Sequence, residues 1–309
     1  MSVRKSPPPS GPGMAVAKRA RVEDDDEENT MTLTVASSGE GQRKNALVRT
    51  IKRTSGLEAP IVSLAGAHGG EITACKFDPR GETIAACSID RGISLWKTYP
   101  PHDNYGLIPH VHKQAVLDIA FSLDSRVLYS GGADGYLIAT DLEDGSRVAK
   151  YAAHFGPLNS IAVAISGGHE LVLTGGDDGI ARVWDLSLGT KDPVAEFDDE
   201  RDCPVTAVEW SHDGNQDTRT LLTGAPSGFE QTLIRCAWSK HDGGQRIAAG
   251  GGDRTVTVWD VQTGKILYKL PGHKGAVTGV DLHPREPIIL TGSKDSNMLL
   301  GELDAQDFS

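Results

Sequence analysis

The sequence predicts an all-β protein made of repeated four-stranded sheets, and three observations predict it. First, segments beginning at Phe77, Phe121, Ile165, Trp238 and Leu282 share one frame; the first three starts are 44 residues apart, and so are the last two. Second, an aspartate stands six residues before the end of each segment, at Asp90, Asp134, Asp178, Asp253 and Asp295. Third, 36 Gly and 16 Pro punctuate short apolar runs, the pattern of many brief strands joined by turns. A period of ~40–45 residues is one propeller blade, four antiparallel strands to a sheet.

Along the chain, residues 1–57 come first. They are rich in Pro, Ser, Gly and charge and hold ten basic and seven acidic residues. Such a segment buries too little apolar surface to offset chain entropy, so it is expected to be disordered. Lys18, Arg19 and Arg21 precede an acidic run from Glu23 to Glu28 and form a candidate nuclear import signal. A second basic stretch, 42–53, is a candidate helix that orders on a partner. Residues 58–304 are the repeat body, and 305–309 a short tail.

The first three units run in phase from Phe77, Phe121 and Ile165. Histidines precede the turn aspartates by 22 residues at His68, His112 and His273, and by 24 at His154. A half unit follows. Trp210 lies 45 residues after Ile165, but the next strand of that kind ends at Trp238, only 28 residues later. Thr223 corresponds to Thr174, so the turn aspartate belongs at 227 and the tryptophan at 233; Ser227 and Leu233 stand there. The chain therefore encodes five full units and one half unit, incomplete near 220–235. About 60 residues are missing relative to a ring of seven on this period. The expectation is an imperfect or gapped ring near 205–235.

Trp184-Asp185, Trp259-Asp260 and Gly272-His273 make the body resemble WD repeats. The resemblance implies a buried network in which the turn Asp bonds the His, the His a Ser or Thr, and the hydroxyl the Trp N–H. The expected structural tetrad is His154, Thr174, Asp178 and Trp184, the one unit with all four members. Ala86 and Ala249 occupy the hydroxyl position in the units from Phe77 and Trp238, and Thr140 and Gly301 replace the Trp in those from Phe121 and Leu282.

The repeat frame also accounts for residues that resemble chemistry. Asp177-Asp178 recurs in position in every unit, which makes it a turn rather than a catalytic carboxylate pair. The glycines 250–252 do not form a phosphate loop: with Gly264-Lys265 as its end, Trp259 stands where the first Gly belongs and Ile266 replaces the Ser/Thr. His110-x-His112 suits a metal, but His112 is the repeat histidine. No catalytic residue, metal or cofactor is expected, and no small-molecule substrate. The four cysteines form no CxxC pair, and a reducing compartment is expected. No apolar run approaches the ~18 residues of a membrane helix, and the N-terminus lacks a secretory apolar core. Beyond residue 57 the chain holds 21 basic against 35 acidic residues, a net of −14, which suits protein partners rather than direct contact with nucleic acid.

Several stretches are not generic to the repeat: "LEAPIVSL" (57–64), "CKFDPRG", "DNYGLI" (103–108), "RCAWS" (235–239), "RIAAGGGDR", "KILYKLPGHKG" (265–275), "HPREPII" (283–289) and "GEL" (301–303). From about Leu57 to Leu303 they resemble the WD-repeat subunits of the U5 small nuclear ribonucleoprotein. That resemblance implies a WD40-type β-propeller of seven blades, closed by the strand before the first blade joining the last. It also implies a nuclear, non-catalytic scaffold of the spliceosome that docks on the large pre-mRNA-processing factor 8 and other U5 proteins, touching RNA only indirectly. Two alternatives share the fold: a substrate receptor of a cullin-type ubiquitin ligase, and a histone-tail-binding propeller. The ligase receptors often carry Arg two residues after a WD pair, where this chain has Ser187 and Gln262. A histone reader would lack "KILYKLPGH" and "DNYGLI".

Overall fold

A computed structural model describes residues 55–198, 203–210 and 234–303. Within them the chain forms five antiparallel four-stranded sheets. The first is β2 (Ile72–Phe77), β3 (Thr83–Ser88), β4 (Ile93–Lys97) and β5 (Asn104–Ile108). The second is β6 (Val116–Phe121), β7 (Val127–Gly132), β8 (Tyr136–Asp141) and β9 (Arg147–Ala152). The third is β10 (Leu158–Ser166), β11 (His169–Gly176), β12 (Ile180–Asp185) and β13 (Ala195–Asp198). The penultimate sheet is β14 (Cys236–Trp238), β15 (Arg246–Gly250), β16 (Thr255–Asp260) and β17 (Ile266–Pro271). The last holds β18 (Val277–Leu282), β19 (Ile288–Ser293) and β20 (Met298–Glu302) and is completed from the other end of the body by β1 (Ile61–Leu64). Ile61 pairs with Gly301 and Leu64 with Met298, so "APIVSL" supplies the outer strand of the last sheet.

The sequence explains why the sheets stack face to face. The inner and second strands carry apolar residues on both faces, as in "TIAACS" and "IILTGS", where almost every residue is buried. Such strands are stable only between two neighbouring sheets. Ile72, Cys75, Ile84 and Trp96 pack against Leu290, Met298 and Leu300, joining the first sheet to the last. Leu95 meets Val116 and Ile119 between the first and second sheets. Tyr129 and Leu137 meet Leu158 and Ile161 between the second and third. Val256 and Val258 meet Val277 and Val280 between the penultimate and last. Each fully buried Ile, Leu or Val contributes on the order of 1.5–3 kcal/mol.

Residues 203–210 continue from the third sheet without being assigned to a strand. The Val205 N–H donates to Gly176 O at 2.9 Å, the Val208 N–H to Ser160 Oγ at 3.2 Å, and the Trp210 indole N–H to Ala162 O at 3.3 Å. A Cβ on Gly175 would fall 2.5 Å from a Val205 methyl and 2.8 Å from a Val208 methyl. Gly131 meets Leu158 and Ile161 in the same way, and Gly292 meets Ile72 and Cys75. Residues 203–210 therefore sit where the inner strand of a following blade sits. The rest of the half unit, "TLLTGA" (220–225) included, lies outside the described residues, as do the candidate import residues Lys18, Arg19 and Arg21 and the stretch 42–53.

Candidate functional site

The turn aspartates fall where β3 meets β4, β7 meets β8, β11 meets β12, β15 meets β16 and β19 meets β20. In the third sheet the predicted four residues come together. His154 Nδ1 lies 2.8 Å from Asp178 Oδ1, and His154 Nε2 lies 2.9 Å from Thr174 Oγ1. The Trp184 indole N–H donates to Thr174 Oγ1 at 3.0 Å. One direction satisfies every group: Trp N–H to Thr oxygen, Thr O–H to His Nε2, and His Nδ1–H to carboxylate. The imidazole is then neutral, with both nitrogens engaged inside the sheet.

The first sheet corrects the expectation that Ala86 leaves its network without a hydroxyl. Ala86 pairs across the ladder with Ser94, and Ser94 takes over the role. His68 Nε2 lies 2.9 Å from Ser94 Oγ, which also accepts the Trp96 indole N–H at 3.0 Å. His68 Nδ1 lies 2.9 Å from Asp90 Oδ2. In the second sheet, His112 joins Asp134 at 2.8 Å and Ser130 at 3.0 Å. In the last, His273 joins Asp295 at 3.1 Å and Thr291 at 2.8 Å. Among the described residues, no histidine bonds the turn aspartate of the penultimate sheet. There Asp253 accepts from Thr255 Oγ1 at 2.7 Å and pairs with Lys269 at 3.0 Å.

Sequence reasoning missed Arg182, which stands across the ladder from Thr174 and is buried. Its Nη1 donates to Asp178 Oδ2 at 2.7 Å and to Ala153 O at 3.0 Å, and its Nε donates to Glu196 at 2.7 Å. Burial alone would raise the Asp178 carboxyl; the hydrogen bonds from Arg182 and His154 outweigh it and hold the pKa at about 2. Burial pushes His112 and His154 below the usual histidine value, despite their carboxylate partners.

Two other expected candidates are structural. Asp177 accepts from Asn159 Nδ2 at 2.7 Å. His110 is exposed at the surface, whereas His112 has both ring nitrogens engaged. Cys75 and Cys87 are buried thiols, and burial pushes Cys87 up to about 12.

At the inner strands the structure assembles a charge cluster that the sequence did not announce. The Arg235 guanidinium donates to Asp118 Oδ2 at 3.0 Å, Leu117 O at 2.7 Å and Asn159 O at 2.7 Å. It thereby ties the start of the penultimate sheet to inner strands of the second and third. Asp118 also accepts from the Ile119 and Ile161 N–H groups at 2.9 and 2.8 Å. Burial would lower the Lys76 ammonium, but Asp281 and then Asp118 outweigh it and raise it.

Comparison with known proteins gives a consistent result. The WD domain, G-beta repeat family matches residues 59–97, 107–138, 145–185, 191–260 and 264–300. The fourth of these matches is the longest and spans the junction. The U5 small nuclear ribonucleoprotein 40 kDa protein of Homo sapiens is 32% identical over 311 positions, covering 81% of this chain and 86% of the relative. The protein of the same name from Dictyostelium discoideum is 31% identical, covering 86% and 90%. Pre-mRNA-splicing factor cwf17 of Schizosaccharomyces pombe is 30% identical, covering 82% and 91%. Since 81% of 309 residues is about 250, roughly 60 of the 311 positions aligned with the human protein have no counterpart here, the shortfall that the repeat period implies. The chain belongs to the WD domain, G-beta repeat family, among the relatives of the U5 small nuclear ribonucleoprotein 40 kDa protein.

Proposed function

We propose that this protein is a scaffold subunit of the spliceosomal U5 small nuclear ribonucleoprotein and supports pre-mRNA splicing. The observation that carries the reading is the alignment with U5 40 kDa proteins and a splicing factor over more than four fifths of the chain. The non-generic stretches such as "KILYKLPGHKG" and "HPREPII" support the same assignment. The role is non-catalytic: the repeat histidines and carboxylates are consumed in holding turns, with no imidazole nitrogen of these networks left to take a substrate proton.

The partners in this reading are U5 proteins, among them the large pre-mRNA-processing factor 8, with RNA reached only through them. The net charge of −14 beyond residue 57 supports protein contact, because a surface that acidic repels a phosphate backbone. The location is the nucleus. Lys18, Arg19 and Arg21 serve as the import signal, so a triple alanine variant drifts to the cytoplasm; an unchanged nuclear signal would assign that cluster no import role.

Affinity purification of the tagged chain from nuclear extract tests the reading. Recovery of U5 RNA and the large processing factor is expected. Enrichment of a cullin adaptor or of histones, with neither U5 component, would replace the proposal with one of its alternatives.

A further inference from the structure

The turns between first and second strands, and between third and fourth, lie at the end of each sheet opposite the turn aspartates. At that end a groove of about 430 Å³ opens between the first and second sheets. Its size falls within the ~300–1,000 Å³ of ordinary ligand sites.

The floor is apolar. Phe121, at the end of β6, is 6% exposed and belongs to the cluster that joins the two sheets; Leu142 packs against that cluster and stays half-buried. One wall is Tyr105 on β5, 45% exposed. Trp96 pairs with Asn104 and Leu95 with Gly106, so Tyr105 is an extra residue with no partner in the ladder. A bulge of this kind re-aims its side chain. The Lys97 ammonium stands 4.7 Å from the centre of the Tyr105 ring.

The other wall is the turn that follows β8, with Asp141 and Glu143. This turn is tied at several points. The Leu142 N–H donates to Arg126 O at 2.9 Å, the Glu143 N–H to Asp141 Oδ1 at 2.7 Å, and the Asp141 N–H to Ser146 O at 2.8 Å. Among the described residues, neither Asp141 nor Glu143 has a cation within ion-pair distance. Arg126 also lines the groove, but its guanidinium pairs with Asp124 at 4.0 Å.

An apolar floor, an aromatic wall and two unpaired carboxylates on the facing wall fit an arginine side chain. Its methylene stem can cover Phe121 and Leu142 while the charged head stays at the rim. Its planar guanidinium can lie against the Tyr105 ring and donate as a fork to a carboxylate. A lysine offers a point charge without that plane, and an aliphatic side chain would leave the carboxylates unused. We propose that this groove seats an arginine from an extended segment of a partner protein. The groove is separate from the U5 assignment, and its test needs no U5 component.

The probe is the fluorescein-labelled peptide Gly-Leu-Arg-Leu-Gly, followed by fluorescence anisotropy with the full chain. Binding is expected to weaken with added salt and to fall at least about tenfold in Glu143→Lys. Tyr105→Ala is expected to lower it severalfold, as is citrulline in place of the peptide's arginine, which keeps the plane and removes the charge. Asp192→Lys makes the same charge change at an exposed position on the third sheet and is expected to bind as the parent does. Equal urea midpoints verify that the variants are folded. No binding by the parent, equal loss from Glu143→Lys and Asp192→Lys, or undiminished binding of the citrulline peptide overturns the proposal. A dimer of the chain that is lost in Glu143→Lys on sedimentation would assign the groove to a second copy and overturn the choice of occupant.

Discussion

Ser94 holds His68 from the strand opposite Ala86: the two residues pair across the ladder, and Ser94 Oγ lies 2.9 Å from His68 Nε2. The network needs a hydroxyl at one point in space, and either strand of the pair can supply it. In the third sheet the same pair of positions holds Thr174 and Arg182, so the hydroxyl stays on the second strand and the third strand is free to carry a cation.

Ser94→Ala should therefore destabilise the protein although the repeat frame gives residue 94 no role. It strands the Trp96 indole N–H and one His68 nitrogen in a buried site, at a cost of about 1–3 kcal/mol. Urea unfolding measures this. A midpoint equal to that of the parent would show that the Ser94 hydrogen bonds carry no net energy.

Asp178→Ala should cost more than Asp90→Ala, but not because the first sheet lacks a hydroxyl. Asp90 serves His68 and the backbone N–H groups of Gly69 and Gly92. Asp178 serves His154 and, in addition, the buried guanidinium of Arg182. Removing Asp178 leaves that cation with the Ala153 carbonyl and one carboxylate, the exposed Glu196. The difference should be on the order of 1–3 kcal/mol, the range for a charged group losing a partner. Equal urea midpoints for the two variants would contradict it.

Acid should weaken the fold in two stages. The folded pKa values of His112 and His154 lie below 6.5, so the unfolded chain takes up protons first as pH falls through that value, and stability drops. For Asp90, Asp134, Asp178 and Asp295, burial raises the carboxyls but hydrogen bonds outweigh it, leaving all four below 3.8. Their contribution is present above that value and is lost below it. Urea midpoints measured in about 0.5 M salt, which screens surface carboxylates, should fall from pH 7.5 to 5.5 and again toward pH 3.5. A midpoint that rises on acidification to pH 5.5 would refute the histidine part.

We propose that the ring is open between the third and penultimate sheets. Apolar clusters join the first sheet to the last, the first to the second, the second to the third and the penultimate to the last. Among the described residues, no such cluster joins the third to the penultimate. Val205 and Val208 cover Gly175, and the Arg235 side chain reaches Asp118 and Asn159. A form with the roughly 60 residues of the repeat period restored should give more monomer and a higher thermal midpoint. Equal values for both forms would mean that the present junction closes the ring unaided.

The fold was legible because a propeller repeats its turn. Asp90, Asp134, Asp178, Asp253 and Asp295 recur at one offset from the strand end, and each stands at a hairpin turn. Period and turn chemistry also mark a break in the spacing between Trp210 and Trp238, most of which lies outside the described residues. What was not legible depends on pairing across strands. Ser94 and Arg182 each lie two residues before a tryptophan and so face the same side of the sheet, a signal available in the alternation of a strand. Their partners, Ala86 and Thr174, are fixed only by register. Arg235 was less accessible still: its contacts at Asp118 and Asn159 are distant in sequence and exist only once the sheets are arranged about one centre.

The most direct test of the central claim is sedimentation of nuclear extract containing the tagged chain through a glycerol gradient, with U5 RNA and the large processing factor followed in each fraction. The account predicts that the chain travels with both, and that adding antibody against the processing factor depletes the chain and U5 RNA together. A chain that remains near the top of the gradient, or that follows a cullin adaptor while U5 RNA sediments without it, would contradict a place in the U5 particle.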